Sequence, residues 1–342
     1  MLDSVINIQR KGIPYMIDEA IIDVLSKYGI FHPDIEFLRH SENRTYKVSD
    51  LVKGNSYLLR IHQPITGNLE GLQHTNNGLI SELQLLEEIA IQTKLIVQQP
   101  IRNCYGDFIT KIEHDGKNIN CSLLTWVTGK DMKKEDVLVE EFVTKLGAMI
   151  AELHKFFREY YKCVSSNSRP NQGIERNDQM LLQIQRGVKM EIILPPDFRI
   201  VEETIQLINS RLKSIGKAED SWGIIHGDLN MGNVIVTSGE EICFIDFGLF
   251  GYGYYLLDVS MGALMVPAEY RIQFLKGYYG FIDVPEDVFV VLEGFMLLAI
   301  FGYYAFHMEN EAVHPWISER MPLLCAKHCL PFLSGERIFY NL

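Results

Sequence analysis

Asp228, Asn233 and Asp246 are the residues whose types and spacing could do chemistry together. They lie in one thirty-residue stretch, G-I-I-H-G-D-L-N-M-G-N-V-I-V-T-S-G-E-E-I-C-F-I-D-F-G-L-F-G-Y, from Gly223 to Tyr252. Two apolar runs, Val234–Val236 and Ile242–Ile245, flank the polar T-S-G-E-E, which predicts a hairpin of β-branched strands around a glycine-containing turn. Asn233 stands just before the first strand and Asp246 just after the second, at the open end of that hairpin. Directly opposed Cβ atoms lie roughly 5 Å apart. One carboxylate and one amide oxygen at that separation can share a hard cation such as Mg²⁺, which takes oxygen ligands. Asp228, on the loop entering the hairpin, can reach the same space as a base rather than a ligand. Phosphoryl transfer uses these parts: positioning, neutralisation of phosphate charge, and a carboxylate that orients an acceptor hydroxyl and takes its proton.

His226, Asp228, Leu229 and Asn233 match the kinase catalytic-loop string H-x-D-L-x-x-x-N, and Asp246-Phe247-Gly248 is a literal D-F-G. With H-G-D in place of H-R-D, then Asn233 and Ile245-Asp246-Phe247, the chain resembles the aminoglycoside phosphotransferase and choline kinase superfamily. The paired motifs, in this order around a hairpin, are specific; either alone would be weak. The resemblance implies an α+β, protein-kinase-like two-lobed fold. A small antiparallel-sheet lobe would span 1–124, a hinge 125–131, and a larger, mostly helical lobe 132–342. It also implies ATP and Mg²⁺ as cofactors, with Asp228 catalytic and Asn233 and Asp246 on the metal. His226 is expected to support the loop. Asp258, in Y-L-L-D-V-S, resembles the family's D-L-A aspartate and is expected to anchor the catalytic loop through backbone amides.

The elements that must position these groups begin in the first third, which reads as a small mixed sheet with one helix. Residues 35–48 resemble two strands around a polar turn, and Lys53–Ser56 turns into a strand at Tyr57–His62. No G-x-G-x-x-G is present; Ser41-Glu42-Asn43 stands in its place. The resemblance implies that backbone amides and the short side chains of Ser41 and Asn43 contact phosphate there, though an ordinary hairpin turn would read the same. Arg60 lies between Leu59 and Ile61. Because strands alternate faces, it either points to solvent or takes the kinase lysine position and pairs with the α- and β-phosphates. Arginine brings a permanent charge and a fork suited to phosphate, and the downstream motifs favour that role. A helix is expected at 78–93 from the recurrence of Leu79, Leu83, Leu86 and Ala90. Glu82 borders that stripe and is the candidate partner of Arg60; Glu87 lies towards the opposite face.

Residues 119–131 read as a final strand running into a linker at Gly129. In the family this crossing receives adenine, which assigns Thr125, Trp126 and Val127 to the nucleotide. Trp126 either stacks on adenine or packs the lobe junction. Beyond it, Glu140–Arg158 carries a helical apolar stripe, with His154 ending the family's A-E-L-H as a packing or hydrogen-bonding residue. Ser165 to Asp178, polar with Pro170 and Gly173, reads as a loop.

A chain of 342 residues suggests two domains or lobes. The net charge of −12 argues against a nucleic-acid partner and suits a cationic substrate. The N-terminus lacks the basic-then-apolar order of a signal peptide, and six cysteines show no disulfide framework, which together suggest a cytoplasmic enzyme. Cys325-x-x-His328-Cys329 has no second pair at zinc spacing. Val288–Phe306 approaches the roughly 20 residues that span a bilayer. Glu293 near its centre would be costly in lipid, so a buried helix and no membrane partner is the expectation. Gly227 replaces the arginine that pairs with an activation-loop phosphate in many protein kinases, and Asp246–Asp258 contains no Ser or Thr and no A-P-E. The acceptor is therefore expected to be a hydroxyl on a small molecule: an amino alcohol, amino sugar or aminoglycoside. A bacterial protein Ser/Thr kinase and a nucleotide-binding pseudokinase are the competing readings.

Overall fold

Strand alternation explains how Arg60 comes to lie inside. The structure, a computed structural model, describes residues 17–64, 71–114, 116–160, 169–280 and 284–342. The N-terminal segment read for a leader, Cys163 and the first part of the polar stretch, 165–168, lie outside the described residues. The chain forms two compact units, Met1–Lys130 with Ser165–Arg169 and Ile235–Gly248, and Asp131–Val164 with Pro170–Val234 and Leu249–Leu342.

In chain order the first elements are α1 (Ile17–Ser26), β1 (Pro33–His40), β2 (Arg44–Asp50), β3 (Ser56–Ile61), α2 (Asn76–Gln92), β4 (Ile96–Val97), β5 (Pro100–Ile101), β6 (Ile109–His114), β7 (Lys117–Thr125) and β8 (Gly129–Asp131). There follow α3 (Glu140–Tyr160), β9 (Asn171–Gln172), α4 (Ile174–Lys189), α5 (Pro195–Ile215), β10 (Trp222–Ile225), β11 (Val234–Thr237), β12 (Ile242–Phe244) and β13 (Gly251–Tyr254). The helices α6 (Tyr255–Met265), α7 (Arg271–Tyr279), α8 (Glu286–Phe306), α9 (His314–Leu324) and α10 (Leu330–Leu333) complete the chain.

In the first unit, β1-β2-β3-β7-β5 form an antiparallel sheet, with β6 also paired to β7. Leu59 and Ile61 point to one face, where Ile21, Val24 and Leu25 of α1 close a core with Val48 and Leu123. Arg60, between them, turns to the other face, flanked in register by Thr45 of β2 and Ser122 of β7. Helix α2 begins two residues before the expected start because Thr75 caps it, its Oγ1 accepting from the Gly78 amide at 3.1 Å. The final strand expected in 119–131 is β7, which ends at Thr125, while Gly129, expected in a linker, begins β8, which joins a second sheet ordered β4-β12-β11-β8.

The second unit is mainly helical around a small sheet, β10-β13-β9. Helices α3 and α7 approach backbone to backbone. A Cβ at Gly147 would sit 2.2 Å from the Phe274 carbonyl, and one at Gly277 would sit 2.1 Å from that of Thr144. The stretch Ser165 to Asp178, read as a loop, is not one throughout: β9 forms at Asn171–Gln172 and α4 starts at Ile174. Asn177 there is buried and donates to Asn209 at 2.7 Å, so polarity at 174–178 marks a partnered helix face rather than a loop.

Helix α8 is long and apolar enough to cross a membrane by length and composition alone. Phe289, Leu292, Phe295, Met296 and Phe301 are buried within its own unit. The Glu293 carboxylate, 2% exposed, accepts from the amides of Ile338 and Phe339, both at 2.9 Å, and pairs with Arg337 Nε at 3.0 Å. Burial pushes its pKa up from the ordinary glutamate value, and these donors pull against that shift. Glu293→Ala strands two buried amides and is expected to lower the unfolding free energy by about 2–4 kcal/mol in a denaturant titration. Glu309→Ala removes only the exposed pair with Arg186 and is expected to cost less than about 1 kcal/mol.

Candidate active site

A buried carboxylate shapes the loop after β10. Asp258, in the first turn of α6, is fully buried. Its Oδ2 accepts from the His226 amide at 2.7 Å and its Oδ1 from the Gly227 amide at 2.9 Å. Asp258 thus grips the loop by its main chain. His154 Nε2 lies 3.1 Å from Asp258 Oδ2, and His154 Nδ1 lies 2.9 Å from the Tyr278 hydroxyl. A carboxylate only accepts, so Nε2–H donates to it. Burial holds the Tyr278 phenol well above its ordinary range, so it stays protonated and donates to Nδ1. Gly227 has φ of 78°, and a Cβ there would lie 2.7 Å from the Leu249 carbonyl. His226 is fully buried, and its Nδ1 accepts from the Asp228 amide at 3.3 Å.

This loop presents a half-buried Asp228. Asn230 Nδ2 donates to its Oδ1 at 3.1 Å. Asn233 Nδ2 donates to its Oδ2 and to its backbone carbonyl, both at 2.8 Å. Both donors of the buried Asn233 amide thereby go to Asp228, which orients Asn233 Oδ1 as an acceptor. The structure therefore joins Asp228 and Asn233 directly, as well as placing His226 and Asp258 in the supporting positions expected of them.

In the first unit, Arg60 Nη1 pairs with Glu82 Oε1 at 2.7 Å, and both side chains are buried. Arg60 Nη2 is also buried and has no hydrogen-bond partner among the described residues. Glu87 pairs instead with Arg102 on the surface. Asp246 takes a left-handed backbone, φ 62°, and its Oδ2 accepts from Arg39 Nη2 at 3.0 Å. In the turn between β1 and β2, the exposed Ser41 donates its amide to the Asn43 carbonyl at 3.1 Å. Asn43 Oδ1 is 2.8 Å from His62 Nδ1, and His62 Nε2 is 2.9 Å from Ser122 Oγ. Burial first, then Arg60, hold His62 well below its ordinary range, so it is neutral. Glu42 is pushed up to about 7, chiefly by burial, then by the charge of Asp246, with Arg39 opposing. At the end of β7, the Thr125 amide donates to Gln99 O at 2.8 Å and the Trp126 amide to Ser56 O at 3.1 Å. Val127 is half-buried, and Lys47 Nζ sits 5.0 Å from the centre of the Trp126 ring.

Sequence reading missed Arg39, Arg169, Glu42 and Tyr278. Arg39 sits on an exposed strand whose partner is 207 residues away. Arg169 adjoins Pro170 in a stretch whose composition reads as loop, yet it is 2% exposed. Glu42 was in view as part of the Ser41–Asn43 turn, but the charge of Asp246 beside it carries no local signal. The Tyr278–Tyr279 pair on α7 gave no hint that one hydroxyl faces His154.

Comparison with known proteins gives the family and the fold. A family model described as "Phosphotransferase enzyme family" matches residues 34–283, which include every residue discussed above as a candidate for catalysis, nucleotide or metal. The amicoumacin kinase of Bacillus subtilis (strain 168) is 21% identical over 298 residues, 82% of each chain. A microcompartment-associated aminopropanol kinase superposes with a TM-score of 0.74 at 19% identity, covering 94% of this chain and 98% of its own. An amicoumacin kinase solved with AMP-PNP, Ca²⁺ and Ami does so with 0.69 at 19% identity, covering 95% and 97%. The protein-kinase-like α+β fold expected from the motifs is the fold of these neighbours. The chain belongs to the phosphotransferase enzyme family.

Proposed function

We propose that this enzyme transfers the γ-phosphoryl group of ATP to a hydroxyl on a small, amine-bearing molecule. The observation that carries the reading is the Asp228 carboxylate, held by Asn230 and Asn233 on a loop whose backbone Asp258 grips. A carboxylate so fixed can orient an acceptor hydroxyl and take its proton while that oxygen attacks the γ-phosphorus and ADP departs. Arg60, aligned by Glu82, is assigned to the α- and β-phosphates, and its unpartnered Nη2 supplies a further donor. The turn at Ser41–Asn43 is assigned to the phosphates through its backbone, because the Asn43 side chain is engaged with His62. The amides of Thr125 and Trp126 are spent on Gln99 and Ser56, so adenine recognition falls to Val127, the nearby carbonyls and the face of Trp126.

Mg²⁺ is assigned to Asn233 and Asp246. Among the described residues no three or more His, Cys, Asp or Glu gather into a metal cage. The donors offered are one carboxylate and one amide oxygen. That set fits an ion carried largely by substrate phosphates, as Mg²⁺ usually is. When bound, the ion neutralises phosphate charge. Support for nucleotide use comes from the amicoumacin kinase complex with AMP-PNP and Ca²⁺. Support for an amine-bearing acceptor comes from the structural neighbour named as an aminopropanol kinase.

An ADP-release screen across amino alcohols, amino sugars and aminoglycosides is expected to give turnover with at least one; silence across all of them would sink the acceptor class. With that acceptor, Asp228→Ala is expected to lower kcat by about 10²–10⁴-fold while leaving nucleotide affinity within about twofold. Asp246→Ala is expected to abolish the Mg²⁺ dependence of AMP-PNP binding, read by calorimetry with and without the ion. Glu42 supplies a pH dependence. In the folded chain its carboxyl keeps its proton up to about 7, against an ordinary value of 4.5, so between these values the folded state holds the extra proton. Its contribution to stability is full at low pH and fades as pH rises through about 7. Glu42→Gln is therefore expected to raise the melting temperature at pH 8 and to leave it unchanged at pH 4; an equal shift at both would refute the assignment.

A further inference from the structure

Arg169 brings a permanent charge into the interior of the first unit and presents it to main-chain carbonyls. Nη1 donates to Gly78 O at 3.1 Å, and Nη2 donates to Phe247 O at 3.3 Å and to Gly248 O. Gly78 lies in the first turn of α2. In helical geometry its carbonyl is the acceptor for the amide four residues on, which is that of Glu82. Phe247 and Gly248 directly follow Asp246. A single planar guanidinium therefore ties the segment after one assigned ligand to the helical turn that ends on the partner of Arg60.

The tie matters because Asp246 sits at φ 62°, a conformation costly for a residue with a side chain. Such a backbone persists only where its surroundings over-determine it. The two carbonyls after it are fixed by a side chain that is 2% exposed and has little room to move. The fork donates in fixed directions, which a flexible ammonium cannot copy.

We propose that Arg169 is a positioning residue for phosphoryl transfer, holding the Asp246 carboxylate in register with the Arg60–Glu82 pair. The inference rests on the reading of Asp246 as a Mg²⁺ ligand. It differs from a plain structural brace in what it controls: the affinity for the ion and not only the stability of the unit. Arg169→Lys keeps the charge but concentrates its donors on one nitrogen, which cannot span Gly78 and Gly248 together.

The test uses the full chain with AMP-PNP as probe, titrated calorimetrically at Mg²⁺ concentrations from zero to millimolar. Arg169→Lys is expected to melt close to the wild type, yet to need about tenfold more Mg²⁺ for half-maximal tightening of AMP-PNP. Without nucleotide, its Phe247 and Gly248 amides are expected to exchange hydrogen faster. In an Asp246→Asn background the same substitution is expected to change the Mg²⁺ dependence no further. An unchanged Mg²⁺ requirement in folded Arg169→Lys overturns the proposal, whether or not the melting temperature falls. If Arg169→Lys does not fold, Arg169→Gln is held to the same criteria. A wild type indifferent to Mg²⁺, or an Asp246→Asn variant that keeps the wild-type dependence, overturns the metal reading and this proposal with it. That result is recognisable before any Arg169 variant is made.

Discussion

The Asp258 carboxylate and the two amides it holds are the constraint on which the loop after β10 depends. A carboxylate with no solvent exposure persists only with donors around it, and here those donors are the main chain of the loop it serves. Satisfying the buried charge and fixing the loop are one event. His154 and Tyr278 extend the constraint outward, because the histidine spends one ring nitrogen on the carboxylate and the other on the phenol. Helices α3 and α7, which bring those two side chains together, pack closely enough for this only because glycines line their contact. A strand end, a helix start and a helix pair thus converge on one loop, and Asp228 inherits its position from all of them.

The legibility of this arrangement in the sequence follows a physical rule. Features whose partners share a short motif, or lie on regular elements of known period, were readable. Arg60 and Glu82 emerged because a charge inside an apolar strand and a glutamate beside an apolar helical stripe each demand a partner. Asp258 emerged through its motif. The features that stayed hidden depend on chain segments meeting at a distance. Arg169 reads as part of a polar connection, yet its burial is created by residues roughly 80 and 90 positions away. Arg39 shows nothing in β1 that singles it out from a solvated strand face. The start of α4 was hidden for a related reason: Asn177 and Asn209 satisfy one another inside the unit, so polarity misstates their burial.

Net charge proved a blunt guide to the local chemistry of the first unit. The chain carries −12 overall, yet the first unit gathers Arg39, Arg60 and Arg169 among Glu42, Glu82 and Asp246. Each cation is matched to a carboxylate or to carbonyls, and burial depresses the Arg169 guanidinium to about 10, with Glu82 opposing. Such a cluster is poised rather than simply positive. Its members are held by one another, and added phosphate or metal charge would redistribute existing pairings.

The glycine at position 227 has a consequence for how this loop can change over evolutionary time. A side chain there would meet the Leu249 carbonyl at 2.7 Å while its own backbone sat at φ 78°. The arginine that senses activation-loop phosphate in many protein kinases therefore cannot be acquired here by one codon change. The peptide would have to rotate out of its left-handed conformation, and the segment around Leu249 would have to retreat, before the new side chain had anything to bind. The main chain at this position thus opposes a side chain, and an arginine here lies several coordinated steps away.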